Sequence, residues 1–335
     1  MTAFERDLAR DTPLKAAREQ NRPMMSLREF IDSNYARPSW RRTRSALSLG
    51  RSMLDPRLYP RAPLVEAYWW DGHPNFGDAL TPWLLRHFGF IPVHAEFHRA
   101  QVIGVGSLMQ FVPRDYSGLI WGTGLISDAP VTLPSAEPLA VRGPLTQRAL
   151  GADGSVALGD PGLLASRVLR RPRVTHRLGI VPHGSHFDDA HFRRIALTHP
   201  KDVMLIDVAR SPAAVIRDIA SCAAIVSTSL HGVIIADSYG IPACWTMLEP
   251  VLIGGDFKFL DHESVVSRGE QTRRFDFAPD MTVDQLIGFA RRASPERVAA
   301  AISDLENSVQ RLKQRFDGSY RSPLLAWEAL LARKI

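Results

Sequence analysis

The chain reads as an α/β protein built on parallel sheets. From Val65 onward, short apolar runs alternate with amphipathic segments, and glycine-bearing turns separate them. The composition is that of an ordinary globular chain, 45% hydrophobic and 23% charged over 335 residues. Such a length favours about two domains, each large enough to bury its own core.

Residues 1–62 read as an extension, with helical pieces broken by Pro13, Pro23, Pro38, Pro56 and Pro60. The run 65–70 is the first strand. Thr81-Pro82 looks like the start of a helix, with Leu80, Trp83, Leu84 and His87 at helical spacing and Gly89 at its end. Strands are predicted at 102–105 and 119–121, each running into a glycine turn. Another at 139–141 leads into Arg142-Gly-Pro-Leu-Thr146 and a short helix that stops at Gly151.

A second series of elements begins near residue 177. Strands are predicted at 177–181, 202–208, 224–226 and 242–245. Ser211-Pro212 opens one helix, and another runs from about His231 to Tyr239. Residues 295–316 carry Val298, Ala301, Ile302, Leu305 and Val309 on one helical face, and 324–331 reads as a final helix. Arg and Pro cluster at 167–177, between the two series. The predicted organisation is therefore a basic N-terminal extension (1–62) and two Rossmann-like domains, at 63–170 and at 171–335 with the C-terminal helices. Two such domains facing a cleft form the glycosyltransferase-B-like arrangement.

Charge and cysteine content narrow the function. The formal charge is +6, and residues 1–62 hold all of that excess, most densely in Arg37-Pro-Ser-Trp-Arg41-Arg42-Thr-Arg44. Such an arm is open to peripheral contact with an anionic membrane or an acidic polysaccharide, although its mixed signs equally suit a solvated segment. No nucleic-acid-binding motif is evident. Cys222 and Cys244 sit in apolar surroundings and read as buried reduced thiols, not as a disulfide or zinc framework. The longest apolar stretch, at 233–236, is far too short to span a bilayer. With no apolar leader at the start, a cytoplasmic protein is expected.

In open parallel sheets, ligands bind beyond the carboxyl ends of the strands. The polar clusters fall there. Asn75-Phe-Gly77-Asp78 follows the first strand, Gly104-Val-Gly106-Ser107 and Trp121-Gly-Thr-Gly124 follow the next two, and each also fits simple turn geometry. Arg142 stands where a strand meets a Gly-Pro helix start, a place suited to an anion or to pairing with a structural acid such as Asp160. Ser227-Thr228-Ser229-Leu230-His231-Gly232 joins a buried strand to an apolar helix. It sets three hydroxyls and a histidine at the helix's positive end, an arrangement that serves either anion binding and proton transfer or plain capping.

Taken in order, these stretches resemble the polysaccharide pyruvyltransferase family. The resemblance rests on Asn75-Phe-Gly-Asp78, Arg142-Gly-Pro-Leu-Thr146, Leu158-Gly-Asp160-Pro-Gly, Gly179-Ile-Val-Pro-His183, Ser229-Leu-His231 through Gly240 and Pro242, and Asp256-Phe-Lys258-Phe-Leu-Asp261. It covers about residues 65–265 and looks closest to the branch acting in succinoglycan-type exopolysaccharide synthesis. It implies phosphoenolpyruvate as donor substrate, a polysaccharide or lipid-linked oligosaccharide as acceptor and a pyruvate ketal as product; that chemistry needs no redox cofactor, and since no His/Cys/Asp set has convincing metal spacing, no obligatory metal is expected. Carried over, Arg142 and His231 bind the donor, and His231 is the candidate acid. His183 or Asp78 orients or deprotonates the acceptor. Asn75, Gly77, Gly106, Ser107, Gly124, Thr228, Ser229, Leu230 and Lys258 complete the expected binding set. Family members can carry arginine where this chain has Ser229, so the donor's charge has to be met elsewhere, with Lys258 or Arg148 as candidates. A nucleotide-sugar glycosyltransferase on the same fold and a non-catalytic carbohydrate-binding protein are the alternatives.

Overall fold

The computed structural model describes residues 49–50, 52, 54–55, 58, 62–267 and 272–317. All of them belong to the compact unit 38–335. Most of the predicted extension, its dense basic segment included, and the predicted helix at 324–331 lie outside the described residues.

Two parallel sheets form the frame. The first contains β1 (Leu64–Tyr68), β2 (Ile91–His94), β3 (Val102–Ile103), β4 (Leu119–Trp121), β5 (Glu137–Val141) and β6 (Ala157–Leu158), in the order β2-β1-β3-β4-β5-β6. The second contains β7 (His176–Val181), β8 (Val203–Leu205), β9 (Cys222–Ser227) and β10 (Ala243–Trp245), in the order β10-β9-β7-β8. Each order reverses direction once. In the first sheet the reversal lies between β1 and β3, in the second between β7 and β9. At such a point the loops leave the sheet to opposite sides and open a crevice at the strand ends.

The helices are α1 (Leu80–His87), α2 (Pro144–Leu150), α3 (Ala165–Val168), α4 (Ala190–Thr198), α5 (Pro212–Ala220), α6 (Leu230–Ser238), α7 (Phe257–Val266), α8 (Val283–Phe289) and α9 (Pro295–Phe316). Among the described residues no helix is long and apolar enough to cross a membrane. Where the structure differs from the sequence-based expectation, the reasons are local. Helix α1 begins at Leu80, because Ala79 N already donates to Asn75 O and Leu80 N to Gly77 O. Thr81 is thus buried inside the first turn. Strand β2 went unread because Pro92 interrupts its apolar run. It is an edge strand, where a missing N–H is tolerated. Strand β8 is only three residues long, since the chain then leaves the sheet and Val208 O accepts from Phe76 N.

Helix α6 is buried along its whole length, which suits its apolar run at 233–236 and leaves His231, Asp237 and Ser238 as buried polar groups. Its residues share one apolar core with β1, β3, β4 and β5 of the first sheet and β7, β9 and β10 of the second. Helix α9 returns to the first sheet, where Trp121 Nε1 donates to Ser308 Oγ at 3.0 Å. Leu49 and Leu58 are buried with Ala62, Leu64, Ile91 and Val93, so parts of the predicted extension pack on the edge of that sheet.

Helix α7 ties the sheets together through polar contacts. From it, Asp261 reaches the strand end before α2. Its carboxylate accepts from Arg142 Nε (3.0 Å), Thr146 Oγ1 (2.6 Å) and the amides of Leu145 (2.9 Å) and Thr146 (3.1 Å). Both ion-pair partners are fully buried. A Cβ on Gly143 would stand 2.2 Å from Asp261 O, so only glycine lets α7 approach this closely. On the second sheet's side, Glu263 accepts from Trp245 Nε1 and Arg273, and Asp237 accepts from Arg273 and His262. Asp261→Ala would leave Arg142 charged and buried without its partner and orphan two amides. It should cost about 3–5 kcal/mol of stability, read as a lower urea midpoint. A loss below about 1 kcal/mol, the surface-pair value, would show that the pair does not hold the sheets.

Candidate active site

Both topological reversals point into one place. The loop after β1 carries Asn75, Gly77 and Asp78, and the loop after β3 carries Gly104, Gly106 and Ser107. The loop after β7 carries His183 and His186, and β9 leads through Thr228 and Ser229 into α6. The loops of the second sheet lock together where Thr228 Oγ1 accepts from His183 N (2.8 Å) and pairs with His186 Nδ1 (2.9 Å). His186 Nε2 faces Pro250 O at 3.0 Å, and since a carbonyl only accepts, that nitrogen carries the proton.

Asn75 builds its own turn. Its Oδ1 accepts from Gly77 N (3.0 Å) and its Nδ2 donates to Asp78 Oδ2 (2.8 Å). Gly77 and Gly106 make room for the chemistry on either side. A Cβ on Gly77 would lie 2.1 Å from His231 Nδ1, and one on Gly106, at φ +126°, would lie 3.1 Å from Asp78 Oδ1. The Nδ1 edge of the His231 imidazole therefore packs directly against the bare backbone at Gly77. Its other nitrogen, Nε2, is 3.5 Å from Asp160 Oδ2, too far or too misaligned for a hydrogen bond, and both atoms are buried with no hydrogen-bond partner. Asp160 follows β6, and its Oδ1 accepts from Gly162 N at 2.8 Å. Sequence reasoning did not give Asp160 a place beside His231. The only signal was the Gly-Asp-Pro-Gly turn itself.

The electrostatics are unusual for so small a volume. Asp78 is pushed up to about 6, chiefly by burial and also by Asp160, although His231, Lys258 and Asn75 pull it down. Some of its surface stays accessible, but protein encloses the rest. Lys258, from the first turn of α7, is 9% exposed and makes no hydrogen bond or ion pair among the described residues. Burial and the neighbouring Arg142 push it down to about 8, against the pull of Asp78. His183 is held down to about 4 by burial, Lys258, His186 and His73, so near neutrality it is an uncharged imidazole. Its Nδ1 accepts from Ser185 N.

Of the residues expected from the sequence, Asp78, His183, His231 and Lys258 come together within electrostatic reach of one another or of shared neighbours. Ser229 stands at the N-cap of α6 in extended conformation with no side-chain bond to the helix. The amides of Leu230 and His231 in the first turn have no partner within the helix. Leu230 itself is buried. Arg142 has no accessible surface. Beyond Asp261 it donates to Ser107 Oγ (2.8 Å) and Leu125 O (2.6 Å), and its guanidinium packs on Gly124, where a Cβ would stand 2.4 Å from Cζ. The structural acid paired with Arg142 is thus Asp261, while Asp160 acts on it only at a distance. Arg148 is exposed on α2 and lines a separate cavity of about 290 Å³ with Asp128, Leu145 and Phe257. Among the described residues no group of three or more His, Cys, Asp or Glu side chains is arranged to hold a metal ion.

Asp78 offers a direct check on these surroundings. Its native pKa lies above its ordinary value of 3.8, so between those values the folded protein binds more protons than the unfolded chain. That contribution makes stability fall as pH rises from about 4 to about 6. Asp78→Asn keeps the shape and can still accept from Asn75. It should be more stable than wild type at pH 7, with the gain vanishing towards pH 4. Thermal unfolding of both proteins across that range measures it, and a pH-independent difference would contradict the raised pKa.

Comparison with known proteins identifies the family. The family model for polysaccharide pyruvyl transferase matches residues 75–247, which run from Asn75 to the segment after β10. The chain is 30% identical over 220 residues to an uncharacterized protein of Acanthamoeba polyphaga mimivirus, covering 59% of this chain and 76% of that one. It is 28% identical over 223 residues to the succinoglycan biosynthesis protein ExoV of Rhizobium meliloti, covering 63% of this chain and 67% of that one. The matched span contains β2 to β10 together with the loops that carry Asp78, Asp160, His183 and His231, and it covers more than half of the chain, which belongs to the polysaccharide pyruvyl transferase family.

Proposed function

We propose that the protein transfers a pyruvyl group from phosphoenolpyruvate to two hydroxyls of one sugar in an exopolysaccharide or its lipid-linked precursor, forming a cyclic ketal and releasing phosphate. One observation carries this reading: a buried lysine with no hydrogen bond or ion pair among the described residues, the open end of α6 and two proton carriers, His231 and Asp78, share one site. An anion with a reactive carbon centre needs both kinds of group. The same reading takes the two sheets as the Rossmann-like halves of a glycosyltransferase-B-like enzyme, 63–170 and 171–335, since loops of both supply the site. The work is placed in the cytoplasm, with the basic arm at the inner face of the membrane.

In this mechanism Lys258 and the first amides of α6 take the donor's anionic groups, and Ser229 adds a hydroxyl. Arg142 acts through Ser107 and by holding the floor of the site. Protonated His231 gives its proton to the methylene carbon. The double-bond electrons form the new C–H bond, leaving an oxocarbenium-like centre at the adjacent carbon. The first sugar hydroxyl attacks that centre and loses its proton to Asp78. The carbon–oxygen bond to phosphate then breaks, phosphate leaves with the bonding electrons and takes the proton from Asp78. The second hydroxyl closes the ketal, and its proton returns to His231. The neutral His183 stands ready to orient the acceptor by a hydrogen bond. Each proton carrier ends as it began, and no redox cofactor enters.

The test is phosphate release from phosphoenolpyruvate with candidate lipid-linked oligosaccharides, run in parallel with sugar nucleotides. Release should require both donor and acceptor, and in deuterated water the product methyl group should carry solvent deuterium. His231→Asn should bind donor and lose turnover by a factor on the order of 100 or more. Consumption of a sugar nucleotide instead would identify a glycosyltransferase.

A further inference from the structure

Asp160 has two oxygens with different tasks. Oδ1 closes the turn at 161–164 by accepting from Gly162 N. Oδ2 faces His231 Nε2 at 3.5 Å, and neither atom has a hydrogen-bond partner. A buried carboxylate oxygen and a buried ring nitrogen, each otherwise unsatisfied, are costly unless a proton lies between them. Catalytic hydrogen bonds are often long before substrate binds and tighten afterwards. On its other side His231 Nδ1 lies against Gly77, and with Nε2 buried the side chain keeps 11% of its surface accessible.

We propose that Asp160 is a positioning residue that holds the proton of His231 on Nε2, leaving Nδ1 as the nitrogen that exchanges protons with substrate. The charged groups around this pair are Arg142, within electrostatic reach of Asp160, and Asp78, within reach of both. The arrangement fixes the ring in one orientation and one neutral tautomer. When the ring is protonated, Oδ2 receives the Nε2 hydrogen, and the second proton is on Nδ1. After Nδ1 has given that proton away, the bond to Asp160 is unchanged, so the same nitrogen can accept the next.

Asp160→Asn separates this role from the turn. Asparagine caps such turns as well as aspartate does. Gly162 N needs an acceptor, so the amide oxygen is held where Oδ1 was, and the amide NH₂ turns towards His231. An NH₂ there forces Nε2 to accept, moves the ring proton to Nδ1, and opposes full protonation. Two readouts follow. In the ligand-free protein, ¹⁵N spectra of histidine-labelled wild type should show the neutral His231 ring, assigned by its loss in His231→Asn, as the Nε2–H tautomer. Asp160→Asn should show Nδ1–H. This arm does not depend on what the substrate is. The rate arm rests on the pyruvyl-transfer reading: Asp160→Asn should keep its melting temperature and donor Kd and lose kcat by a factor on the order of 100. Asp160→Glu should recover part of the loss. An Nδ1–H ring in wild type, or an unchanged tautomer and kcat in Asp160→Asn, would overturn the proposal and leave Asp160 as a turn cap only. If wild type shows no transfer from phosphoenolpyruvate, the functional reading fails, and the tautomer still decides the role of Asp160.

Discussion

Everything in the site depends on the grip of Asp261 on the end of β5. One carboxylate, carried by α7, takes the guanidinium of Arg142, the hydroxyl of Thr146 and two amides of α2's first turn. Burying that charge is tolerable only because four donors converge on it. The consequence is positional. With Asp261 fixed, the first turn of α7 brings Lys258 into the crevice, and the next residues put His262 against Asp237 of α6 and Glu263 against Trp245 of β10. A single helix thereby sets the distance between the loops of one sheet and those of the other.

The crevice concentrates groups whose charges are held against their preference. Lys258 is buried with only the Phe259 ring beneath it and no ion pair among the described residues, Asp78 sits where its ionised form is costly, and His183 is kept neutral. Such costs are tolerated where ligand binding or chemistry recovers them. An incoming dianion would relieve Lys258, and a sugar hydroxyl would find both a carboxyl near neutrality and an imidazole beside it. The glycines at 77, 106, 124 and 143 serve this crowding by removing side chains where charged groups must lie against backbone.

How much of this was legible beforehand follows from how local each signal is. Parallel α/β architecture, most strands and the helix at 295–316 came from periodicity, which is written in adjacent residues. Strand β2 was hidden by Pro92, whose tolerance depends on being at a sheet edge. Asn75, Asp78, His183 and His231 stood out because each follows a strand, and the ligand-binding end of a parallel sheet is a general property. Asp160 and Asp261 did not acquire their partners in the sequence. Arg142 is 119 residues from Asp261. Asp160 reaches His231 only after α6 has been buried between the sheets. Charge pairing across such separations is a product of packing, so the sequence offered Arg142 an acid without showing which one.

The contact of Gly77 with His231 carries a further consequence. The space a methyl group would take at position 77 is the space the imidazole occupies, within 2.1 Å. The two positions are 154 apart in the chain yet compete for one volume. A lineage drifting to alanine at 77 would displace the histidine as surely as mutating it, and one that lost the histidine would be free to fill the glycine. The two sites are therefore bound into a single heritable unit, and descendants that have abandoned the chemistry should betray it by a side chain at 77.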